Sequence, residues 1–204
     1  FPVMIKDWRT RWGIGDFPFY YVQLAPNESV KDGEQISLSA LFREMQYNSQ
    51  FSIPNTAMSV TLDAGEQKVI HPANKQAVAQ RLAAIALHKT YGFTEVVYAG
   101  PSYKNFTVKG NQLTLNFDHA EKGLKAFPTP SVNFELAGAD KVFHPAKAEI
   151  KGNAVLLQAD NVQKPVAARY GFKMWVMGDL YNAEGLPASS FRTDEWFAPS
   201  YGKK

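Results

Sequence analysis

Apolar residues recur at helical spacing in three stretches of the first half of the chain. After the first stretch, Gly13 and Gly15 end the predicted helix. The second stretch begins near Ser37 or Ser39, either of which suits an N-cap. The third follows Pro72, which suits a first helical position. The apolar positions of the three helices are Phe1, Met4, Ile5, Trp8 and Trp12, then Leu38, Leu41, Phe42 and Met45, then Val78, Leu82, Ile85 and Ala86.

Two strands are predicted between these helices. Residues 17–24, FPFYYVQL, are apolar and aromatic almost throughout, which is typical of a strand buried on both faces of a parallel sheet. Residues 58–62 form a shorter β-type run that ends at Asp63-Ala64-Gly65. The order is therefore α-β-α-β-α, and two strands are too few for the sheet that three helices would cover. The pattern predicts further strands upstream of Phe1.

The period of the apolar pattern changes near Gly100-Pro101, and short β-type runs follow. Gly110-Asn111 suits the turn of a hairpin between the first two runs. Residues 180–196 are rich in turn residues and are expected to wrap back as irregular structure. The predicted strands cover residues 106–109, 113–117, 132–136, 148–150, 155–157 and 166–170.

The two patterns together predict an α/β fold class with two parts. Residues 1–97 are expected to form part of a parallel sheet with helices, in the manner of half of an α/β domain. Residues 103–196 are expected to form a small antiparallel β-sandwich-like domain. Residues 197–204 are expected to be a polar tail.

Composition excludes several classes of protein and of site. Apolar residues make up 45% of the 204 positions and charged residues 20%, which is ordinary for a globular protein. No apolar run approaches the roughly 20 residues of a transmembrane helix, and the first residues lack a signal-peptide core. The net charge of +3 is spread without long runs, so nucleic acid is not an expected partner. The absence of cysteine excludes disulfides and cysteine-based metal sites.

His71 stands where the second predicted strand, a loop and the third helix meet. Because Pro72 suits the first helical position, His71 is predicted to lie at about the N-cap. The positive end of the helix dipole disfavours imidazolium there, so it favours the neutral ring that a general base needs. A His-Pro pair is also an ordinary helix start signal without chemistry, and spacing alone leaves both interpretations open.

The other histidines and the serines do not form a second candidate site. His88, His119 and His144 stand apart from His71 without metal-ligand spacing, so neither a metal nor another cofactor is expected. His119 and His144 have the surroundings of turn residues. None of the eleven serines has the small-residue surroundings of a nucleophile turn.

Three separated motifs resemble those of the sialate O-acetylesterase family and occur in the same order. This family consists of SGNH-type carbohydrate esterases. The motifs are ALFREMQ, IPNTAMSVTLDAGEQKVIHPANKQAVAQRL and GLPASSFRTDEW. The resemblance covers Phe1 to about Trp196, and it is to the C-terminal part of such an esterase only. It implies a parallel SGNH sheet of about five strands. The earlier strands, upstream of this chain, would carry the nucleophilic serine in a Gly-x-Ser motif that the chain lacks.

The resemblance also implies roles for individual residues. In the family, the histidine of the Ile-His-Pro motif is the catalytic base, which corresponds to His71. SGNH enzymes usually place an orienting aspartate two or three positions earlier, where this chain has Val69 and Lys68. Asp63 is an alternative acid, with Glu66 nearer still, but a loop or capping role suits Asp63 better and we expect no direct contact with His71. A Ser-His dyad with a backbone carbonyl on the ring is the remaining arrangement.

Two further groups of residues have less specific interpretations. Arg43 and Gln46, in the first motif, fall on the polar side of their helix, where a solvated surface role is favoured. Four aromatic residues late in the chain could stack on sugar rings, although such residues more often belong to the core. They are Trp175, Tyr181, Phe191 and Trp196.

The resulting hypothesis is the C-terminal portion of a carbohydrate (sialate) O-acetylesterase, in which His71 is the general base for an upstream serine. The expected partners are an O-acetylated sugar or sialic acid as substrate, and an N-terminal esterase portion or a second copy of the chain. Neither nucleic acid nor a membrane is expected. The alternative is a non-catalytic carbohydrate-binding or interaction fragment. The resemblance suggests a periplasmic or secreted location, and the isolated chain is expected to be inactive and marginally stable.

Overall fold

The computed structural model describes residues 1–28 and 38–196. Its first part, residues 1–97, is called the α/β part below and holds three helices and a pair of parallel strands. They are α1 (Pro2–Trp12), β1 (Phe19–Val22), α2 (Leu38–Ser52), β2 (Thr56–Ser59) and α3 (Lys75–Lys89). In the parallel pair, Phe19 lies opposite Thr56 and Val22 opposite Ser59. The predicted α-β-α-β-α order is confirmed.

Both strands of the α/β part are shorter than predicted. Strand β1 covers only the middle of residues 17–24, and β2 begins and ends earlier than the predicted 58–62. The chain leaves β2 early because the fully buried Leu62 packs into the core of the second part. The prediction that β1 is buried on both faces is wrong for this chain, since within β1 only Tyr21 is buried and Val22 is 38% exposed.

The end of α1 agrees with the prediction from sequence, whereas the predicted start of α2 is not confirmed. Helix α1 ends at Gly13, whose φ of 66° is a left-handed conformation that glycine adopts without steric cost. Ser39 lies inside α2, so a cap at that residue is wrong, and Ser37 lies outside the described residues.

The α/β part exposes large apolar side chains that a larger sheet or a partner would cover. On α2, Leu41 is buried, whereas Leu38, Phe42 and Met45 are half or more exposed. In and after α1, the exposed set is Val3, Trp8, Trp12 and Ile14. Exposed apolar side chains of this kind are typical of surfaces that contact another protein segment.

The second part, residues 102–196, is called the β-rich part. Its described strands are β3 (Ser102–Lys109), β4 (Gln112–Asp118), β5 (Leu124–Ala126), β6 (Phe134–Ala137), β7 (Phe143–Pro145), β8 (Lys147–Lys151), β9 (Ala154–Gln158), β10 (Ala167–Tyr170), β11 (Leu180–Asn182) and β12 (Phe191–Arg192). Two antiparallel sheets have the orders β3-β4-β9-β8 and β12-β10-β6-β7, and β11 pairs with β5. The described chain is therefore a mixed α/β structure with mostly antiparallel sheets.

All six strands predicted for this part overlap an observed strand, and Gly110, with a φ of 62°, lies in the turn of the predicted hairpin. The pattern missed β5, β7, β11 and β12, because two or three residues are too few to show a period. His119 lies in a turn with a φ of 58°, but His144 lies in β7 rather than in a turn. The segment 180–196, predicted as irregular, contains β11 and β12. The predicted tail, 197–204, lies outside the described residues.

The two parts share buried contacts. Leu62 of the α/β part belongs to the same apolar cluster as Leu136 and Leu180 of the β-rich part. At the junction, a Cβ on Gly100 would lie 2.1 Å from the carbonyl oxygen of Pro187, so only glycine fits this approach. The secondary structure therefore changes at Gly100-Pro101 within a packed junction. That the two parts are independent domains stays a prediction.

Candidate active site

His71 lies in the loop between β2 and α3, and it is exposed. Its predicted position at the N-cap is wrong. Helix α3 begins at Lys75 with Asn74 as its N-cap, whose side-chain oxygen accepts a hydrogen bond from the Ala77 N–H at 3.2 Å. A short amide side chain satisfies a helix N–H well, so the helix starts there, after the buried Pro72. The helix dipole acts mainly within the first turn, and His71 lies outside that turn.

The loop that carries His71 is held by hydrogen bonds on both sides. The Glu66 carboxylate accepts a hydrogen bond from the Ala73 N–H at 2.5 Å. The N–H of Glu28, in the segment after β1, donates to the Gln67 carbonyl at 2.7 Å. The loop therefore lies against the segment that follows β1, at the carboxyl ends of the parallel pair. Ligand sites of open α/β sheets occur at this edge.

A buried polar network joins this edge to the β-rich part. Gln23, which directly follows β1, is 2% exposed, and its Nε2 donates to the Ser189 hydroxyl at 2.6 Å. The Thr61 hydroxyl donates to the Gln23 carbonyl at 2.8 Å. No sequence pattern marked Gln23, because one polar residue after an apolar strand has no characteristic spacing. Ser189 lies in the third motif, which was the only available signal.

Asp63 is paired with Arg81 of α3. Nη1 and Nη2 of Arg81 each donate to one Asp63 carboxylate oxygen at 2.7 Å, and both side chains are nearly buried. Arg81 Nη1 also donates to the Val60 carbonyl at 2.8 Å. Such a bidentate pair engages both carboxylate oxygens. Among the described residues, no hydrogen bond joins Asp63 to His71.

Arg43 does not lie on a solvated face, so that interpretation is wrong. It is fully buried, and its guanidinium donates to the carbonyl oxygens of Lys173 and Met174 and to the Ser190 hydroxyl. Buried carbonyl groups require hydrogen-bond donors, and Arg43 supplies them to carbonyl groups of the β-rich part. The helical pattern could not show that this polar side of α2 faces another part of the chain.

The neighbours of Arg43 on α2 also make contacts outside the helix. Gln46 is half-buried; its side-chain oxygen accepts from the Leu24 N–H at 2.7 Å, and its Nε2 donates to the Val22 carbonyl at 3.3 Å. The solvated role is therefore wrong for Gln46 as well. Glu44 accepts from Nε of Arg192 at 2.9 Å. The first and third motifs thus meet at the junction of the two parts.

The described residues bring no serine hydroxyl into hydrogen-bonding contact with a histidine. Nδ1 of His88 lies 2.8 Å from the Val96 carbonyl oxygen, and the His88 ring packs on the Tyr98 ring. In residues 1–28 and 38–196, no group of three or more acidic or histidine side chains could hold a metal ion. None of the described helices has the length and apolarity to cross a membrane.

Two of the four late aromatic residues, Phe191 and Trp196, contact other aromatic rings. Phe191 stacks on Tyr103 with ring centroids 5.1 Å apart and meets Phe117 edge-on at 5.7 Å. The Trp196 ring lies 5.7 Å from Phe143. All four side chains are half-buried, and Phe191 packs against the apolar cluster of the β-rich part. Stacking on sugar rings stays a prediction.

Comparison with known proteins adds independent information. No protein-family model matches the chain. The sialate O-acetylesterase of Pongo abelii is 25% identical over 215 residues, which covers 94% of this chain and 41% of that protein. The sialate O-acetylesterase of Homo sapiens is 28% identical over 136 residues, which covers 60% of this chain and 26% of that protein.

A solved structure extends the similarity to the fold. The crystal structure of a carbohydrate acetylesterase from Xanthomonas citri is 40% identical in sequence and superimposes with a TM-score of 0.88. The match covers 96% of this chain and 45% of that chain. The chain therefore spans less than half the length of these relatives. Within that part, the chain is similar to sialate O-acetylesterases and to a carbohydrate acetylesterase.

Proposed function

We propose that this chain is the C-terminal portion of a serine-type carbohydrate O-acetylesterase and that His71 is its general base. The observation that carries the proposal is the position of His71. It is an exposed histidine at the carboxyl ends of two parallel strands, in a chain whose relatives are acetylesterases. This edge is where open α/β sheets bind their ligands.

The chemistry of acyl transfer defines what His71 would do. A neutral ring nitrogen accepts the proton of a serine hydroxyl while the serine oxygen attacks the acetyl carbonyl. Backbone or side-chain N–H groups stabilise the resulting oxyanion. His71 then donates that proton to the departing sugar oxygen, which leaves an acetyl-serine. Water, activated by His71 in the same way, releases acetate and restores the serine.

The serine and the oxyanion donors would come from a portion of the enzyme that precedes this chain. Two observations support this proposal. The chain spans 41% and 45% of two relatives, so these relatives contain more protein than is described here. Exposed apolar side chains on α1 and α2 provide a surface for such a portion. We propose that β1 and β2 belong to a larger parallel sheet of the SGNH type, completed by that portion.

The group that orients the His71 ring is proposed to be a main-chain carbonyl, so that the enzyme works as a Ser-His dyad. The usual acidic positions hold Val69 and Lys68. Asp63 is not assigned this role because Arg81 occupies both of its carboxylate oxygens. The Glu66 carboxylate binds the Ala73 N–H.

The proposed substrate is an O-acetylated sugar, including O-acetylated sialic acid. The support is chemical class alone: the relatives are named as sialate O-acetylesterases and as a carbohydrate acetylesterase. Acetate and the deacetylated sugar would be the products.

The test compares two histidine variants of a longer protein that contains this chain and a Gly-x-Ser motif. His71→Ala should lower the turnover of an acetylated sugar by about 10²–10⁴-fold or more, because general-base help has that magnitude. His144→Ala is the matched control, since His144 also precedes a proline but lies in β7. It should keep activity within about twofold, and circular dichroism should show both variants folded. If His71→Ala retained activity within about tenfold of the parent, the base would lie elsewhere.

The isolated 204-residue chain provides a second test. It should hydrolyse an activated acetyl ester no faster than its His71→Ala variant, because His71 would have only water to activate. A monomeric chain that deacetylates a sugar, and that loses this activity with His71→Ala, would show that one of its own serines is the nucleophile.

A further inference from the structure

The His71 loop, defined as residues 60–73, enters the core of the β-rich part before it reaches His71. Leu62 is fully buried in the apolar cluster that contains Leu180. The Gly178 N–H donates to the Leu62 carbonyl at 2.9 Å. A Cβ at Gly178 would lie 3.1 Å from the Leu62 Cβ and 3.2 Å from its carbonyl carbon. The approach is tighter than most Cβ contacts, so an added methyl group would require Leu62 to shift by a few tenths of an ångström.

The next residue, Asp63, is contacted from both parts of the chain. Arg81 binds its carboxylate from α3. Tyr181 of β11 lies beside it, and burial, together with the negative charge of Asp63, raises the pKa of Tyr181 to about 12. The Tyr181 hydroxyl donates to the Gly178 carbonyl at 3.0 Å. Residues 178–181 thus contact two consecutive residues of the His71 loop.

The residues that directly follow Asp63 have little room to absorb a shift at Leu62, whereas residues 67–71 are exposed. A Cβ on Gly65 would lie 2.3 Å from the Pro26 carbonyl oxygen, so the loop is pressed against the segment after β1. Farther on, the bond between the Glu66 carboxylate and the Ala73 N–H closes the loop around His71. Packed elements of this kind transmit a displacement because they have no voids to take it up.

We infer that residues 178–181 of the β-rich part position the His71 loop, with Gly178 and Leu62 as positioning residues for the proposed base. The β-rich part is then a component of the catalytic unit and more than a neighbouring module. This inference rests on the proposed function of His71. The anchoring itself can be measured without any assay of activity.

The experiment adds one methyl group in the longer esterase that contains this chain. Gly178→Ala should displace Leu62 and lower kcat about ten- to a hundredfold, with KM within about twofold, because a small misplacement of a reacting group has that effect. Hydrogen–deuterium exchange in residues 66–73 should rise in the same variant. Gly138→Ala is the matched control, since its Cβ would meet its nearest neighbour, an Asp140 oxygen, at an ordinary 3.4 Å. It should change neither quantity.

The outcomes separate this inference from the proposed function. Unchanged kcat in Gly178→Ala, unchanged exchange in residues 66–73, or exchange that rises equally throughout the protein would overturn the positioning role. If Gly178→Ala does not fold, Leu62→Val replaces it, because this variant removes one methylene group from the side chain that Gly178 contacts. The same changes in kcat and in hydrogen–deuterium exchange are then expected. His71→Ala decides the role of His71 separately: if it keeps activity while Gly178→Ala raises exchange, the anchoring stands and the proposed base is wrong.

Discussion

Removal of the buried guanidinium of Arg43 should weaken the junction between α2 and the β-rich part. The side chain is 0% exposed and donates to the Lys173 and Met174 carbonyl oxygens and to the Ser190 hydroxyl. Arg43→Ala takes the donor away from three acceptors and leaves a space that the packed surroundings can only partly fill. Both effects lower the free energy of unfolding.

The expected magnitude follows from these contacts. A buried acceptor left without its donor costs about 1–3 kcal/mol, and water that enters the space recovers part of this. We therefore expect Arg43→Ala to lower the free energy of unfolding by about 3–5 kcal/mol. Arg43→Lys keeps the charge but lacks the planar fork of donors, so its loss should be smaller, about 1–3 kcal/mol.

Urea unfolding followed by circular dichroism measures both losses. Asn48→Ala, at an exposed position of the same helix, is the control and should stay within about 0.5 kcal/mol of the parent. A loss below about 1 kcal/mol for Arg43→Ala, with an unchanged denaturant dependence, would refute the reasoning. It would mean that water replaces the guanidinium at little cost.

Three further predictions concern other parts of the chain. Phe42→Glu should lower the self-association of the isolated chain in analytical ultracentrifugation, because Phe42 is 50% exposed on the apolar surface of α2; unchanged association would place the contact elsewhere. Arg81→Met should lower the free energy of unfolding by about 3–5 kcal/mol, because it leaves the nearly buried Asp63 carboxylate without its bidentate partner. A double-mutant cycle with Asp63→Asn should show coupling between the two residues. Burial, and after it the charge of Asp179, raises the pKa of Tyr170 well above its usual value. The stability that depends on the protonated Tyr170 is therefore present below about pH 10, and it is lost as the pH rises through the pKa of the folded state. The urea midpoint should therefore fall at alkaline pH, with a shallower fall in Tyr170→Phe; an equal slope in both proteins would contradict this.

Local sequence was sufficient for the order of the helices and of the longer strands, whereas the role of His71 stays a prediction. Helical and strand periods depend on residues within a few positions of one another, so the three helices, β1, β2 and the hairpin at Gly110 were predictable. The three motifs led to the same class of esterase as the relatives to which the chain is similar. The predicted N-cap of α3 was wrong, because Asn74 rather than His71 forms the capping bond.

Contacts between distant residues decided the rest. Sequence determined that His71 lies in a loop between a strand and a helix, but not that Leu62 holds that loop in the core of the β-rich part. Arg43 has the same helical spacing whether its side of α2 faces water or protein, and only the fold placed the Lys173 carbonyl against it. Gln23 and Ser189 bond across 166 positions. No local period encodes such a pair, because burial and partner are properties of the packed chain.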